Sequence, residues 1–211
     1  PTPMHSAVIV GYVRSPFAIA HKGQLTRVRP DDLAATVVRG LMDQTGIDAG
    51  AIEDLILGCA FPEGEQGFNV ARLVGMLAGL PRSVAGTTVN RWCGSSMQAV
   101  HMAAGAIALG SGRAYIAAGV ESMTRVPMMG FNPMPNPVLA EREPGAFMSM
   151  GITAENLAAQ YAIPRADQEA FAAESHRKAA AAQAAGRFDA EIVPIPTPDG
   201  AMVTRDGGIR P

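Results

Sequence analysis

The chain has 211 residues, 48% of them hydrophobic but only 5% aromatic, and a formal net charge of -2. That length builds one large or two small domains, with a core drawn mainly from Ala, Val, Ile, Leu and Met. No long run of one charge sign points to nucleic acid or an anionic membrane surface. No apolar run reaches the roughly 18 residues of a spanning helix, and Pro1 to Ser6 lacks the basic-then-apolar pattern of a secretory signal. Two cysteines do not make a disulfide framework, which fits a reducing, cytoplasmic setting.

In chain order, Ala7-Val8-Ile9-Val10 with Tyr12-Val13 predicts a buried first strand, ended by Arg14-Ser15-Pro16-Phe17. Pro30-Asp31-Asp32 opens a helix with an apolar stripe at Leu33, Val37, Val38 and Leu41, and Thr45-Gly46 closes it. Leu55-Ile56-Leu57 is a second strand. Asn69 to Leu80 is a short helix with Val70, Leu73, Val74 and Leu77 on one face. Thr87-Thr88-Val89 is a β-branched run, Met97 to Leu109 a run of helix formers, and Ala114 to Val120 a further buried strand. This alternation predicts an α/β layer. From Met123 to Pro144 five prolines and four methionines break regular structure, and the stretch reads as an excursion loop. Two helices are expected next, near Thr153–Tyr161 and Arg165–Ala185, the second strongly favoured by its alanines. Glu191 to Ile195 reads as a strand, and the rest as turns.

The chemistry-bearing stretch is Val89-Asn90-Arg91-Trp92-Cys93-Gly94-Ser95-Ser96-Met97-Gln98-Ala99. It reads as strand, sharp turn, cysteine, helix. A cysteine at a helix N-terminus faces unpaired backbone N–H groups and the positive end of the macrodipole, which favour the nucleophilic thiolate. Gly94 lets another molecule approach the backbone. From this pattern alone two readings stay open, a nucleophile or a buried cysteine serving as a small hydrophobe, and the second is the commoner case.

The stretch resembles the active-site segment of thiolases, which typically reads V/I-N-R-x-C-x-S-x-x-Q-A. The same family is resembled, in the same order, by Gly58 to Pro81, Gly119-Val120-Glu121-Ser122-Met123, Met150-Gly151-Ile152-Thr153-Ala154-Glu155-Asn156, Asp167-Gln168-Glu169-Ala170-Phe171-Ala172 and Gly186-Arg187-Phe188-Asp189-Ala190-Glu191-Ile192-Val193-Pro194. The resemblance implies an α/β fold, the N-terminal half of the thiolase fold, in which a mixed sheet is covered by helices and interrupted by an inserted loop domain. Residues 4–122 would be the first α/β domain, incomplete, and residues 123–211 the loop domain with its helices. The C-terminal thiolase domain would be absent from the chain, making it an N-terminal fragment.

The resemblance also implies acyl transfer between coenzyme A thioesters. Cys93 matches the nucleophile that takes the acyl group, and its backbone N–H would help hold the thioester oxygen. Met148, Ser149 and Met150 match positions that line the acyl and pantetheine pocket. Short-chain biosynthetic thiolases typically carry a histidine where Ser149 stands, so the resemblance leans towards degradative thiolysis of 3-ketoacyl-CoA, as in fatty-acid β-oxidation. A biosynthetic acetyl-CoA acetyltransferase and a non-catalytic lipid-carrier module are the competing readings. A cysteine hydrolase would need a histidine near Cys93. His101 lies eight residues along the same helix, about 12 Å away, and His176 reads as solvated surface. Cys59 reads as a buried small hydrophobe. No metal and no permanently bound cofactor is implied. Coenzyme A is a substrate, the partners are acyl-CoA and CoA, neither nucleic acid nor membrane is expected, and the full-length protein is expected to be a homodimer or homotetramer. The family's bases lie in its second half, so the fragment by itself is expected to be inactive.

Overall fold

The computed structural model describes residues 6–210, so His5 lies outside the described residues. The chain forms two compact units. The first holds the described residues up to Phe131 together with Asp189–Gly208, and the second holds Asn132–Phe188 with the residues after Gly208.

The first unit is an α/β layer. Its elements are α1 (Pro30–Thr45), β1 (Asp54–Gly58), α2 (Val70–Leu77), β2 (Ala85–Val89), α3 (Ser95–Ala108) and β3 (Tyr115–Gly119). Helix α1 begins where expected, with Pro30 in its first turn beside Asp31 and Asp32. It stops at Gly46, whose φ of 62° is left-handed and whose N–H bonds to the Met42 carbonyl at 2.9 Å. Helix α2 is capped by Asn69, whose side chain accepts from the Arg72 N–H. The helices turn their small residues innermost. Ala34, Ala35 and Val38 are buried on α1, and Val70, Ala71, Val74 and Gly75 on α2, whereas the expected Leu73 and Leu77 are exposed. Two helices approach more closely over alanine and glycine than over leucine.

The strands pair in the order β2-β1-β3, all parallel and in register, so that Gly58 lies beside both Val89 and Gly119. Among the described residues this sheet is parallel throughout. The mixed character that the family resemblance implied is not seen in it. The central strand β1 is buried on both faces. Leu55 and Leu57 point into the cluster formed with α1 and α2, while Ile56 points to the other face against Ala99 and Ala103 of α3. The result is three layers, with α1 and α2 below the sheet and α3 above.

Two sequence expectations fail here. The predicted first strand does not form. Residues 6–13 carry no regular element, and Val8, Ile9, Val10 and Tyr12 are exposed. An apolar run becomes a buried strand only if a neighbour offers its ladder of hydrogen bonds, and none among the described residues does so before Arg14. There a single parallel bridge joins Arg14 to Ile192, with Arg14 N–H to the Glu191 carbonyl and Val193 N–H to the Arg14 carbonyl, each 2.8 Å. The strand expected at Glu191–Ile195 shrinks to this bridge and to β4 (Ile195–Pro196), which pairs antiparallel with β5 (Met202–Val203). Pro194 and Pro196 cannot donate to a ladder, which limits pairing on both sides of Ile195.

The return of residues 189–208 to the first unit is fastened by Arg14. Its guanidinium bonds to Glu191 at 2.7 Å and bidentately to Asp206 at 2.7 and 2.8 Å, and lies over the Phe17 ring. Asp206 also accepts the Phe17 N–H at 2.8 Å.

The second unit contains α4 (Pro137–Arg142), α5 (Met150–Gln160) and α6 (Arg165–Ala184). The loop expected from residue 123 thus contains a helix of six residues, initiated by an Asn136 cap and Pro137. None of the three helices buries a residue. His176, expected at a solvated surface, is half-buried, and its Nδ1 accepts the Arg210 N–H at 3.1 Å.

Two predictions follow from these contacts. A Cβ added at Gly58 would sit 2.5 Å from the Ser95 carbonyl carbon and the Ser96 nitrogen, both backbone atoms that cannot swing aside. Gly58→Ala should therefore destabilise the first unit by at least about 2 kcal/mol in urea unfolding. The Arg14 guanidinium holds the Asp206 carboxyl below its ordinary range. Because folding lowers this value, the stabilisation is whole above the unfolded value of about 3.9 and is lost as the pH falls through the lower folded one. Asp206→Asn should remove that part of the acid-induced loss, measured as the change in urea midpoint between pH 6 and pH 3.

Candidate active site

The site is built where β2 ends. Parallel strands leave their C-terminal ends facing one edge, and in open α/β sheets ligands bind at that edge. Between Val89 and Ser95 the chain must reverse from strand to helix in five residues. Asn90 starts the turn by accepting the Trp92 N–H on Oδ1 at 2.9 Å. Ser95 closes it, with Oγ accepting the Arg91 N–H at 2.9 Å and donating to the Trp92 carbonyl at 2.6 Å. The Gly94 N–H bonds to the Arg91 carbonyl and the Ser95 N–H to the Trp92 carbonyl, each 3.0 Å. Trp92 takes up the remaining rotation with φ 50°, a left-handed value that non-glycine residues rarely hold unless their surroundings fix it.

Cys93 stands at the tip of this turn and is exposed. Gly94 is the N-cap of α3 and Ser95 its first residue, so the helix begins two positions after the cysteine, as the sequence predicted. No side chain caps this helix, and its N-terminus opens towards the cysteine with its partial positive charge unclaimed by a capping residue. Trp92 is also exposed and meets the Phe61 ring edge-on, with 5.2 Å between ring centroids.

Behind the turn lies a polar cluster at the exits of β1 and β3. Gln66, fully buried, donates to the Phe61 carbonyl at 2.9 Å and to Glu121 at 2.7 Å, and accepts the Ser122 N–H at 2.6 Å. Glu121 also accepts the Ala60 N–H at 2.7 Å, and Asn90 Nδ2 donates to the Ala60 carbonyl at 3.0 Å. On the far side of β2, Asn69 donates to the Gly86 carbonyl and accepts from Thr88, while the Arg72 guanidinium bonds to the carbonyls of Val84 and Arg82. These polar residues brace the strand ends and the neighbouring helix.

The second cysteine has the opposite environment. Cys59 has no exposed surface and lies 3.4 Å from Gln66 Nε2. Burial, and after it the Glu121 carboxylate, push its thiol up to about 12. It is the buried small hydrophobe that the sequence suggested.

Met148, Ser149 and Met150 belong to the second unit. Ser149 is the N-cap of α5, its hydroxyl accepting the Ile152 N–H at 3.4 Å, and Met150 is the first residue of that helix with its side chain exposed. The Met148 sulfur accepts from Asn156 Nδ2 at 3.3 Å. Of the histidines, His101 is exposed on α3, and His21 is exposed with its backbone N–H bonded to Thr124. Among the described residues no group of three or more His, Cys, Asp or Glu is placed to hold a metal ion, and no helix is long and apolar enough to cross a membrane.

The two cysteines should separate cleanly by chemistry. At pH 8 a thiol near 12 is ionised to roughly one part in ten thousand. Iodoacetamide between pH 6 and 9 should therefore label Cys93 alone in the folded chain, with Cys59 labelled only after denaturation, as read by peptide mass. Faster labelling of Cys59 throughout that range would contradict the site described here.

The family model for the thiolase N-terminal domain matches residues 7–211. The chain is 47% identical to the 3-ketoacyl-CoA thiolase of Bacillus subtilis (strain 168), over 99% of this chain and 56% of that protein. It is 46% identical to the 3-ketoacyl-CoA thiolase of Acinetobacter baumannii (strain AYE), over 89% of this chain and 48% of that protein. It is 44% identical to that of Psychrobacter arcticus, over 97% of this chain and 53% of that protein. The chain thus spans about half the length of the curated relatives it matches. An α/β layer with a cysteine turn at the strand ends, a family match over nearly the whole chain and this level of identity agree: the chain belongs to the thiolase family and corresponds to its N-terminal domain.

Proposed function

We propose that the chain supplies the acyl-accepting half of a degradative 3-ketoacyl-CoA thiolase, with Cys93 as nucleophile. The Cys93 thiolate attacks the 3-keto carbonyl carbon, a sulfur–carbon bond forms, and the bond between C2 and C3 breaks. Acetyl-CoA leaves after its C2 takes a proton, and the acyl group on sulfur passes to the thiol of a second CoA. The observation that carries this reading is the exposed Cys93 at the mouth of a parallel sheet, one residue ahead of an uncapped helix N-terminus. That end favours the negative charge that develops on the thioester oxygen.

The degradative direction is favoured by Ser149 in place of the histidine of short-chain biosynthetic relatives. Met148, Ser149 and Met150 line the acyl and pantetheine pocket in this reading. The reaction uses acyl-CoA and CoA and needs no metal. Two free thiols favour a reducing, cytoplasmic setting. Strand β2 lies at the sheet edge, with β1 as its partner on one side, and in the whole protein it would pair across a homodimer or homotetramer interface.

In this reading none of the described histidines is the base that activates the incoming CoA thiol. His101 is about 12 Å along α3 from the cysteine by helix rise. His21 carries no bond towards it, and the His176 ring is occupied by Arg210.

Incubation with acetyl-CoA followed by intact-mass and peptide analysis tests both statements. One acetyl group should be found on Cys93 and none in Cys93→Ser. Thiolysis of acetoacetyl-CoA by the same 211 residues should stay far below about one turnover per second, the lower end for working enzymes. An acetyl group retained in Cys93→Ser would remove the nucleophile from this account. Turnover near one per second or above would place the missing base among the chain's own histidines.

A further inference from the structure

The hydrogen bonds behind the cysteine turn form a continuous path from a different strand. Glu121, just past β3, accepts the Ala60 N–H at 2.7 Å on one oxygen and Gln66 Nε2 at 2.7 Å on the other. The Ala60 carbonyl accepts Asn90 Nδ2 at 3.0 Å, and Asn90 Oδ1 accepts the Trp92 N–H at 2.9 Å, one residue short of Cys93. A second contact runs beside the first, where Gln66 holds the Phe61 carbonyl and the Phe61 ring holds Trp92 edge-on. Trp92 is the residue that needs holding, since its φ of 50° is unfavourable for a tryptophan.

We propose that Glu121, with Gln66, is a positioning residue for Cys93. It fixes the exit of β1 at Ala60 and Phe61, and from there Asn90 and Trp92 fix the direction in which the thiol points. A carboxylate suits the place because it is acceptor-only and serves two N–H donors at once, one on each oxygen, which an amide cannot do. The proposal rests on Cys93 being the acyl acceptor.

The test compares the chain with Glu121→Ala, Asn90→Ala, the double variant and Glu121→Gln. Three quantities are read: acetylation of Cys93 by acetyl-CoA, alkylation of both cysteines by iodoacetamide, and emission of Trp92, the sole tryptophan in the chain. Each single alanine variant should slow acetylation about tenfold, because a displaced nucleophile loses its alignment with the thioester. The double variant should be no more than about threefold slower than either single, since both act through Ala60 and are not additive. Iodoacetamide makes little demand on orientation, so alkylation of Cys93 should stay within about twofold of the parent. Cys59 should remain protected. Trp92 emission should shift alike in the two single variants and the double. Glu121→Gln keeps an acceptor for the Ala60 N–H and should recover part of the acetylation rate.

Losses that multiply to about a hundredfold in the double variant would overturn the proposal. So would parental acetylation and emission in Glu121→Ala. Exposure of Cys59 to alkylation in both Glu121→Ala and Glu121→Gln would make Glu121 a residue of the fold and overturn it too. If the parent chain itself takes no acetyl group, the nucleophile reading fails separately. The positioning path is then decided by Trp92 emission, sustained by a common shift and overturned by none.

Discussion

The first turn of α3 rests on bare backbone. Gly58 and Gly119 lie side by side at the ends of β1 and β3, and above them are Ser95 and Ser96, with no side chain of either strand between. A methyl group at Gly58 would meet helix backbone, and one at Gly119 would meet the Ser96 side chain. The helix therefore approaches the strand ends more closely than an ordinary helix–sheet contact allows. The geometry of the cysteine turn depends on this approach. Strand β2 has to hand over to a helix lying almost on top of its neighbours, so the reversal is completed in five residues. That compression is where Trp92 takes its left-handed backbone and where Cys93 is lifted to the surface. The same approach buries Ser95, whose hydroxyl then serves the turn's own backbone.

A turn this tight would not hold without polar support, and the support is placed where a core would ordinarily be apolar. Gln66 is fully buried, yet it bonds to Phe61, Glu121 and the Ser122 N–H. A leucine there would leave Glu121 with the Ala60 N–H but without its second donor, and would strip the Phe61 carbonyl and the Ser122 N–H of the partner Gln66 gives them, each unmet buried group costing about 1–3 kcal/mol. The buried amide ties three chain segments, the exits of β1 and β3 and the approach to α2, to one geometry. It also sets the fate of the second cysteine. Enclosed by this cluster and facing Glu121, Cys59 keeps its proton, while Cys93, some thirty residues on, stands in the open.

Elements whose signals are local were legible in the sequence. Pro30 with Asp31 and Asp32 at one end and Gly46 at the other bound α1 to the residue, because capping depends on nearest neighbours. The apolar run Leu55-Ile56-Leu57 was legible as a strand, though its central place between β2 and β3 was not. The cysteine turn was legible because a β-branched run, a cysteine and a helical run follow one another within ten residues. What failed depended on distant partners. Val8 to Tyr12 reads as a buried strand because an apolar run states what it needs, not whether a neighbour provides it. The fastening of Arg14 to Asp206 spans 192 positions and leaves no trace in either local pattern. Glu121 and Gln66 fall in stretches that the family resemblance covers, but the path from them through Ala60 to Trp92 joins segments that only the folded sheet brings together.

The long helix α6 differs from the rest of the molecule in what keeps it folded. It buries none of its 20 residues fully, and from Arg165 to Glu174 all are exposed, so the helical state of that first half draws on alanine propensity and on two pairs along its own surface, Arg165 with Glu169 and Glu174 with Arg177. That exposed half would lose structure on warming gradually, fraying from its end, whereas the layer around the buried β1 would melt as one unit. A single chain thus contains two kinds of order, one cooperative and one not. Its heat-capacity trace would carry a broad slope beneath a sharp peak, and amide exchange along the first half of α6 would be graded inward from its end while that of β1 would not.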